Sequence, residues 1–523
     1  MFLPVGIIRA AAGTGAVLAL LGAAAVGRAA VPGAISSQVL CTTAFSRAAN
    51  VNTDCQNAGN YGETGISVNP NWHSDIVGGV IDTTISTVNG HTRFSQFVEP
   101  HVSVDGGRAW ANVGLDFGNY ASAVDPSVAF DASGRVYLAT ANSGEHNDVT
   151  VATSEDGGLG WTAPVSITKG IDGKSFFNDH PQLTAFGDGN ILVTWIHDVF
   201  DASGHLLAAP VYDAVSHDGG KSWSAPSDIS GSAPFCVGIG GGDACDQTFG
   251  NSVAVSGGRA VVAFQQTYHE APDAGASLGR DTYMTVVVDP ATGQTVSGPT
   301  VVGEESDGII EHDYPLNRGG VQTVHDSQFA LDSDGNVAAD PTAPGMHFAL
   351  VFYDDRGAAL PMPADPYQAM TKAGIVVSQT FDGGNTWSPP TVIPDAHDQF
   401  MPWAAYDATG ALRVGFLDRS YDPADDKYGY TLATETQPGS LQFTLQELST
   451  ALSDPTRNDL PSRGTVNPLF PYPAAFIGDY TALAVDGEGV VAYWTDFRDQ
   501  ACQGGRCGYR SDSYFARGET DGG

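Results

Sequence analysis

Basic residues are what this chain has least of: Lys and Arg number 23 against 59 Asp and Glu, for a formal charge of −36 and a pI near 4.3. Such a surface repels phosphate backbones and anionic headgroups, which sets nucleic acid aside as a partner. Charged residues of both signs make up only 16% while 42% are apolar, and Gly reaches 64 in 523 residues. This is a turn-rich, core-forming composition and excludes a disordered polymer. Cysteine is scarce, six in all without a Cys-x-x-Cys, so nothing points to zinc or to a dithiol redox pair. Gly-rich phosphate loops and nucleophile elbows are missing too, and no metal or other cofactor is expected.

Long apolar runs are also missing, with one exception. After Arg9 a Gly/Ala/Leu stretch runs from Ala10 to Val26, followed by small residues around Gly27-Arg28-Ala29-Ala30. A charged start, an apolar centre and a small-residue cut make residues 1–30 a signal peptide, which predicts a secreted protein with no membrane contact after cleavage. The cysteines fall as close pairs, Cys41 with Cys55, Cys236 with Cys245 and Cys502 with Cys507. Six cysteines allow about fifteen connectivities, and three local disulfides suit an exported monomer.

What the chain does have is repetition. Ser103-Val104-Asp105-Gly106-Gly107-Arg108-Ala109-Trp110 recurs at Ser154 to Trp161, Ser216 to Trp223 and Thr380 to Trp387 as Ser/Thr-x-Asp-Gly-Gly-x-x-Trp. Each copy follows a strand-like run, so it reads as a hairpin tip: Asp accepts bonds from turn amides, Gly supplies positive φ, and Trp folds back over apolar surface. The pattern resembles the Asp-box of the sialidase-like, or BNR-repeat, β-propellers. That resemblance implies a propeller fold and says little about activity.

A second repeat is a strand, an Asp-x-x-Gly-like turn and a more apolar strand, as in Ser127 to Leu138 and Ala482 to Tyr493. Its turn glycines are Gly134, Gly189, Gly258, Gly335, Gly410 and Gly489, with a seventh unit upstream across Ile66 to Val80. Two hairpins per unit match one propeller blade. The fold expected is therefore all-β, a seven-bladed β-propeller over residues 63–518, with six blades as the alternative. An N-terminal arm over 31–62 is a candidate closing strand for the last blade, and 519–523 is a tail. Asp332-Ser333-Asp334-Gly335-Asn336 has alternating oxygen donors like a calcium loop, but in this register it is one more inner-hairpin turn.

If both kinds of turn share one face, the residues before each first strand and after each second strand meet on the other. Those positions are polar: Glu63, Asp125, Asp179-His180, His325-Asp326, His397-Asp398 and Asp479-Tyr480 before, and Arg356, Arg419 and Arg498 after. Three guanidinium groups at equivalent places would make a carboxylate clamp, or each would brace its own loop through a neighbouring Asp. By resemblance to sialidases, Arg356, Arg419 and Arg498 are the candidate clamp and Tyr480 or Tyr472 the nucleophile. Glu63, Asp125 or Asp179 then moves protons, and His180, His325 and His397 complete the candidate substrate-binding set. A Phe-Arg-Ile-Pro arginine of the sialidase kind does not occur. The function expected is a secreted sialidase-like glycoside hydrolase acting on an acidic sugar of a glycan. A polysaccharide lyase on uronate-containing glycans and a non-catalytic glycan- or protein-binding propeller are the alternatives.

Overall fold

The computed structural model describes residues 36–55, 60–88, 91–266, 281–305, 329–330, 334–354, 373–394, 397–424, 426–455, 475–503 and 506–519. The expected signal peptide, Arg356, His325 and Tyr472 lie outside the described residues. Within them no α-helix occurs, and seven antiparallel sheets, each built on at least four strands, follow one another along the chain. Their first strands are Asn60–Val68, Ser122–Phe130, Phe176–Phe186, Thr248–Ser256, Asn336–Ala339, Gln399–Tyr406 and Ala482–Asp486. Each packs on the next, and the last returns to the first. The result is a closed seven-bladed β-propeller, numbered here as blades one to seven, with those seven strands around a central channel.

The first strands do not share backbone ladders, because the blades splay about the axis. Side chains bridge them instead. Ser67 Oγ accepts from Phe130 N at 3.1 Å, Ser127 Oγ from Leu183 N at 2.9 Å and Ser252 Oγ from Val337 N at 2.9 Å, each bond crossing to the next blade. Asn336 bonds both ways with Ala404 of blade six, its amide donating at 3.0 Å and its oxygen accepting at 2.7 Å. Buried polar residues on a strand near the axis are thus satisfied by the neighbouring blade, while β-branched and aromatic side chains fill the space between sheets.

The chain closes its ring with an early segment. Strand Asn50–Asn52 is the outer strand of blade seven, paired with Asp512–Glu519 in register Val51 to Phe515. Thr53 then ties four elements together: its Oγ lies 2.8 Å from His101 Nδ1, 2.8 Å from Tyr493 OH and 2.7 Å from Ser513 Oγ. Because blade seven borrows its fourth strand, it has no hairpin between third and fourth strands. That is the physical reason no Asp-Gly-Gly-Trp repeat falls there. Strand Ser37–Thr42 adds a fifth strand to blade one, and disulfide Cys41–Cys55 joins it to the segment just after Asn50–Asn52. Cys236–Cys245 closes a second loop, Cys507 is disulfide-bonded, and the backbone of Cys502 pairs with that of Cys507 across a hairpin.

The four repeated turns all join third to fourth strands. In the first, Asp105 Oδ1 accepts from Arg108 N and Ala109 N at 2.9 Å each, and Trp110 Nε1 donates to Gly107 O at 2.9 Å. In the fourth, Trp387 Nε1 reaches Thr285 Oγ1 of blade four instead, at 2.9 Å. Outer and inner turns meet on one face, as where Gly219 N donates to Gly189 O at 3.0 Å.

One inner turn is not where the glycine series puts it. In blade five the first strand begins at Asn336, and its turn runs from Asp340 to His347 with Gly345 at φ 73°. Gly335 and Asp334 therefore stand at the start of the strand, on the opposite face. The misreading has a local cause: Asp-Ser-Asp-Gly-Asn has the composition of a turn, and only the pairing of Asn336 with Val351 reveals the register.

Candidate functional site

On the face away from the turns, the first strand of nearly every blade breaks its register at the same step. Shifts occur between Gly62 and Thr64, Val124 and Ser127, Asp179 and Gln182, Phe249 and Asn251, and Phe400 and Trp403. The residues at these bulges are left-handed: Glu63 at φ 49°, Asp125 at 55°, His180 at 47°, Gly250 at 45° and Met401 at 51°. For Glu, His and Met this conformation is uncommon, and a bulge re-aims the side chain out of the sheet. Here Glu63, Asp125 and His180 meet at the axis, while Met401 packs into the apolar core.

The outcome is a carboxyl ring around one imidazole. His180 Nδ1 lies 3.2 Å from Asp334 Oδ2, and its Nε2 is 3.8 Å from both Asp179 Oδ2 and Asp479 Oδ2. Its backbone N–H donates to Asp125 Oδ2 at 3.3 Å. Asp125 lies beside both Glu63 and Asp179, close enough to raise the titration of each. Six ionisable groups from blades one, two, three, five and seven thus meet. All are buried except Asp179, whose side chain keeps 23% of its exposure. At the corresponding place in blade four Gly250 is required for space as well as for φ, since a Cβ there would sit 2.2 Å from Asp334 Oδ1.

Burial and mutual repulsion set the charges. Glu63 is pushed well above the carboxylate range, by desolvation first and then by Asp125 and Asp479. Asp179 is raised too, by desolvation, with His180 pulling the other way and Asp125 adding to the rise. For His180 burial lowers the pKa, but Asp179 and Asp334 outweigh it and hold the ring as imidazolium. Tyr480, buried against Glu63, Asp125 and Asp334, is raised strongly. Its phenol keeps its proton, which is the reverse of what a phenolate nucleophile needs.

Below the ring the channel opens into a cavity of about 190 Å³. Thr64, Ser127, Gln182, Ser252 and Asn336 line it together with Trp403 and Tyr480. The two aromatic rings stand 6.0 Å apart.

Of the residues expected at the site, Glu63, Asp125, Asp179, His180 and Tyr480 are brought together. Arg419 is not at the ring: it is buried and its Nη1 is 3.1 Å from Asp398 of its own blade. Arg498 pairs with Asp496 at 2.6 Å, donates to Asn50 and Thr450 at 3.0 Å each, and lies 4.4 Å over the Tyr514 ring. Both guanidinium groups brace loops, the bracing arrangement that a neighbouring Asp makes available. His397 is half-buried at the entry to blade six. Asp334 is the residue that sequence reasoning assigned to a turn; the available signal was its place two residues before an apolar strand, matching Asp125 two before Ser127.

No family model matches the chain, and no curated protein matches it either. Among solved structures it is similar to a protein of unknown function from Dyadobacter fermentans, at 15% identity and a TM-score of 0.44, over 76% of this chain and 94% of that one. A Hadza microbial sialidase aligns at 12% identity and a TM-score of 0.42 over 93% and 98%. An ulvan lyase, a member of a new family of polysaccharide lyase, aligns at 11% and 0.40 over 71% and 78%. At these scores the likenesses carry no assignment of function. The class of protein rests on the blades themselves: a seven-bladed β-propeller with an acidic ring at one end of its channel.

Proposed function

We propose that the protein is a glycoside hydrolase working at this ring. Glu63 is the proton donor to the leaving oxygen, Asp179 the partner carboxylate that serves the anomeric carbon as base or nucleophile, and Tyr480 a hydrogen-bond donor to the sugar. The observation that carries the reading is the pairing of two carboxyls in unlike surroundings: Glu63, fully buried with Oε2 unsatisfied by the described residues, and Asp179, partly open to solvent beside a cationic imidazole. Burial raises both carboxyls, Glu63 with further help from Asp125 and Asp479 and Asp179 against the opposing pull of His180, so Glu63 is the better held as acid and Asp179 the more readily ionised, the division of labour that glycosidic cleavage uses. Trp403 and Tyr480 offer apolar faces on which a sugar ring stacks, and the polar cavity wall suits hydroxyls.

Selectivity for an acidic sugar is not favoured by this geometry. An anion would meet several carboxyls and one imidazole, with Arg419 and Arg498 committed elsewhere. The reacting sugar is therefore taken to be uncharged. A panel of aryl glycosides that includes a sialoside tests both points. Turnover of an uncharged glycoside, lowered by about 10²–10⁴ in kcat in Glu63→Gln and Asp179→Asn, is expected. Cleavage of the sialoside alone would restore the acidic-sugar reading. Growth of unsaturated-uronate absorbance would make the protein a lyase, and binding on a glycan array with no turnover would make it a lectin-like module.

A further inference from the structure

We infer that the ring is also a divalent-cation site, with a carboxylate oxygen of Asp125, one of Asp179 and Nε2 of His180 as ligands. The inference goes beyond the proposed hydrolysis and does not depend on it. The three donor atoms lie within 4.8 Å of one another and come from buried or half-buried residues of two adjacent blades. Nε2 faces Asp179 and Asp479 at 3.8 Å, too long for a hydrogen bond. It is the kind of separation two donors adopt on either side of one ion with bonds of about 2.0–2.4 Å. On the far side of the imidazole, Nδ1 is held by Asp334, the carboxylate–histidine arrangement that fixes the tautomer and aims the other nitrogen at a metal.

A second and independent observation points to a missing ligand. Glu63 Oε2 has no partner among the described residues, although its side chain is at least nine-tenths buried at the ring. No Lys or Arg pairs with Glu63, Asp125, Asp179 or Asp334 among the described residues. Buried carboxylates are costly unless their charge is balanced, and an ion bound at Nε2 in place of its proton adds positive charge where His180 is the one cationic group beside Asp179 and Asp334 among the described residues. A set of carboxylates with one imidazole suits Mn²⁺ or Zn²⁺ rather than Mg²⁺. With an ion bound, Asp179 is a ligand and not a free base, so loading is expected to lower any turnover.

The test is a metal count on the full chain without substrate. Protein stripped with chelator is exposed to Mn²⁺, passed through a desalting column and measured by mass spectrometry of the element. Wild type is expected to retain about one equivalent more than Asp125→Asn or His180→Gln. Equal retention would show only non-specific binding to an acidic surface and would overturn the inference. Where a ring variant does not fold, as judged by circular dichroism, wild type alone decides: magnetic resonance of bound Mn²⁺ is expected to show coupling to an imidazole nitrogen, and its absence overturns the site. Because the count needs no substrate, loss of the metal and loss of hydrolysis can be told apart.

Discussion

Two buried acidic clusters among the described residues differ in how charge is balanced. At the seam of blades one and seven, Arg510 pairs with Asp54 and lies 2.7 Å from Asp512, under Tyr61 and close to Asp82. There a guanidinium from the last blade neutralises a carboxylate carried in by the N-terminal segment, so the ion pair locks the ring shut. At the axis, no guanidinium reaches Glu63, Asp125, Asp179 or Asp334 among the described residues; an imidazole, retained protons and strained bulges stand in its place. An arginine set against buried acids at the seam, and none against these four carboxyls among the described residues at the axis, separates a structural cluster from one kept for chemistry.

The largest effect expected from breaking this comparison comes from the seam. Arg510→Met leaves Asp54 and Asp512 buried without their cation, and should lower unfolding free energy by about 3–5 kcal/mol. In the same urea titration Asp125→Asn, which removes charge from an uncompensated cluster, should leave stability unchanged or raise it. A large loss in the ring variant and none at the seam would reverse the assignment.

A smaller effect is expected from pH. Desolvation, reinforced by Glu99 and Asp54 and opposed by Arg510, raises Asp82 to about 7. Desolvation also raises Asp512 to about 8, opposed by Arg510 and reinforced by Asp54. Carboxyls raised in the folded state bind protons that the unfolded chain has released. Their contribution is fully present below the unfolded value near 4 and is lost as pH rises through about 7 to 8. Stability should therefore fall between about pH 5 and pH 8, by on the order of 1–3 kcal/mol, and Asp82→Asn should flatten the profile. An unchanged slope in that variant would remove Asp82 from the account.

The smallest effect belongs to the repeated turns, which serve neither cluster. Asp105→Ala leaves the amides of Arg108 and Ala109 without their acceptor and should cost about 1–2 kcal/mol, read as a lower melting temperature. Hydrolysis should be untouched. A loss of activity without a loss of stability would give these turns a role that their place on the opposite face argues against.

Much of this architecture was legible before folding. The Asp-Gly-Gly-Trp turns and the second hairpin series announce blades because local hydrogen bonds and glycine φ preferences act within eight residues. The gathering of Glu63, Asp125, Asp179, His180 and Tyr480 followed from strand direction alone. Blade five was not legible: Asp334 and Gly335 have turn composition, and the register that makes Asp334 the partner of His180 is set by pairing with a strand beyond the next turn. Arg419 and Arg498 were not legible either, since equivalent places in successive blades do not say which way a long side chain turns.

What the amino-acid order by itself determined was the number of wedges and the end of the channel at which polar groups collect, because antiparallel hairpins reverse direction at fixed intervals. Only the tertiary structure decided which polar groups face one another. Bulges at φ near 50° swing Glu63, Asp125 and His180 to the axis, while Asp398 and Asp496 draw Arg419 and Arg498 into their own loops. Charge balance in a buried space depends on distances between residues hundreds of positions apart, and those distances exist only once the ring has closed.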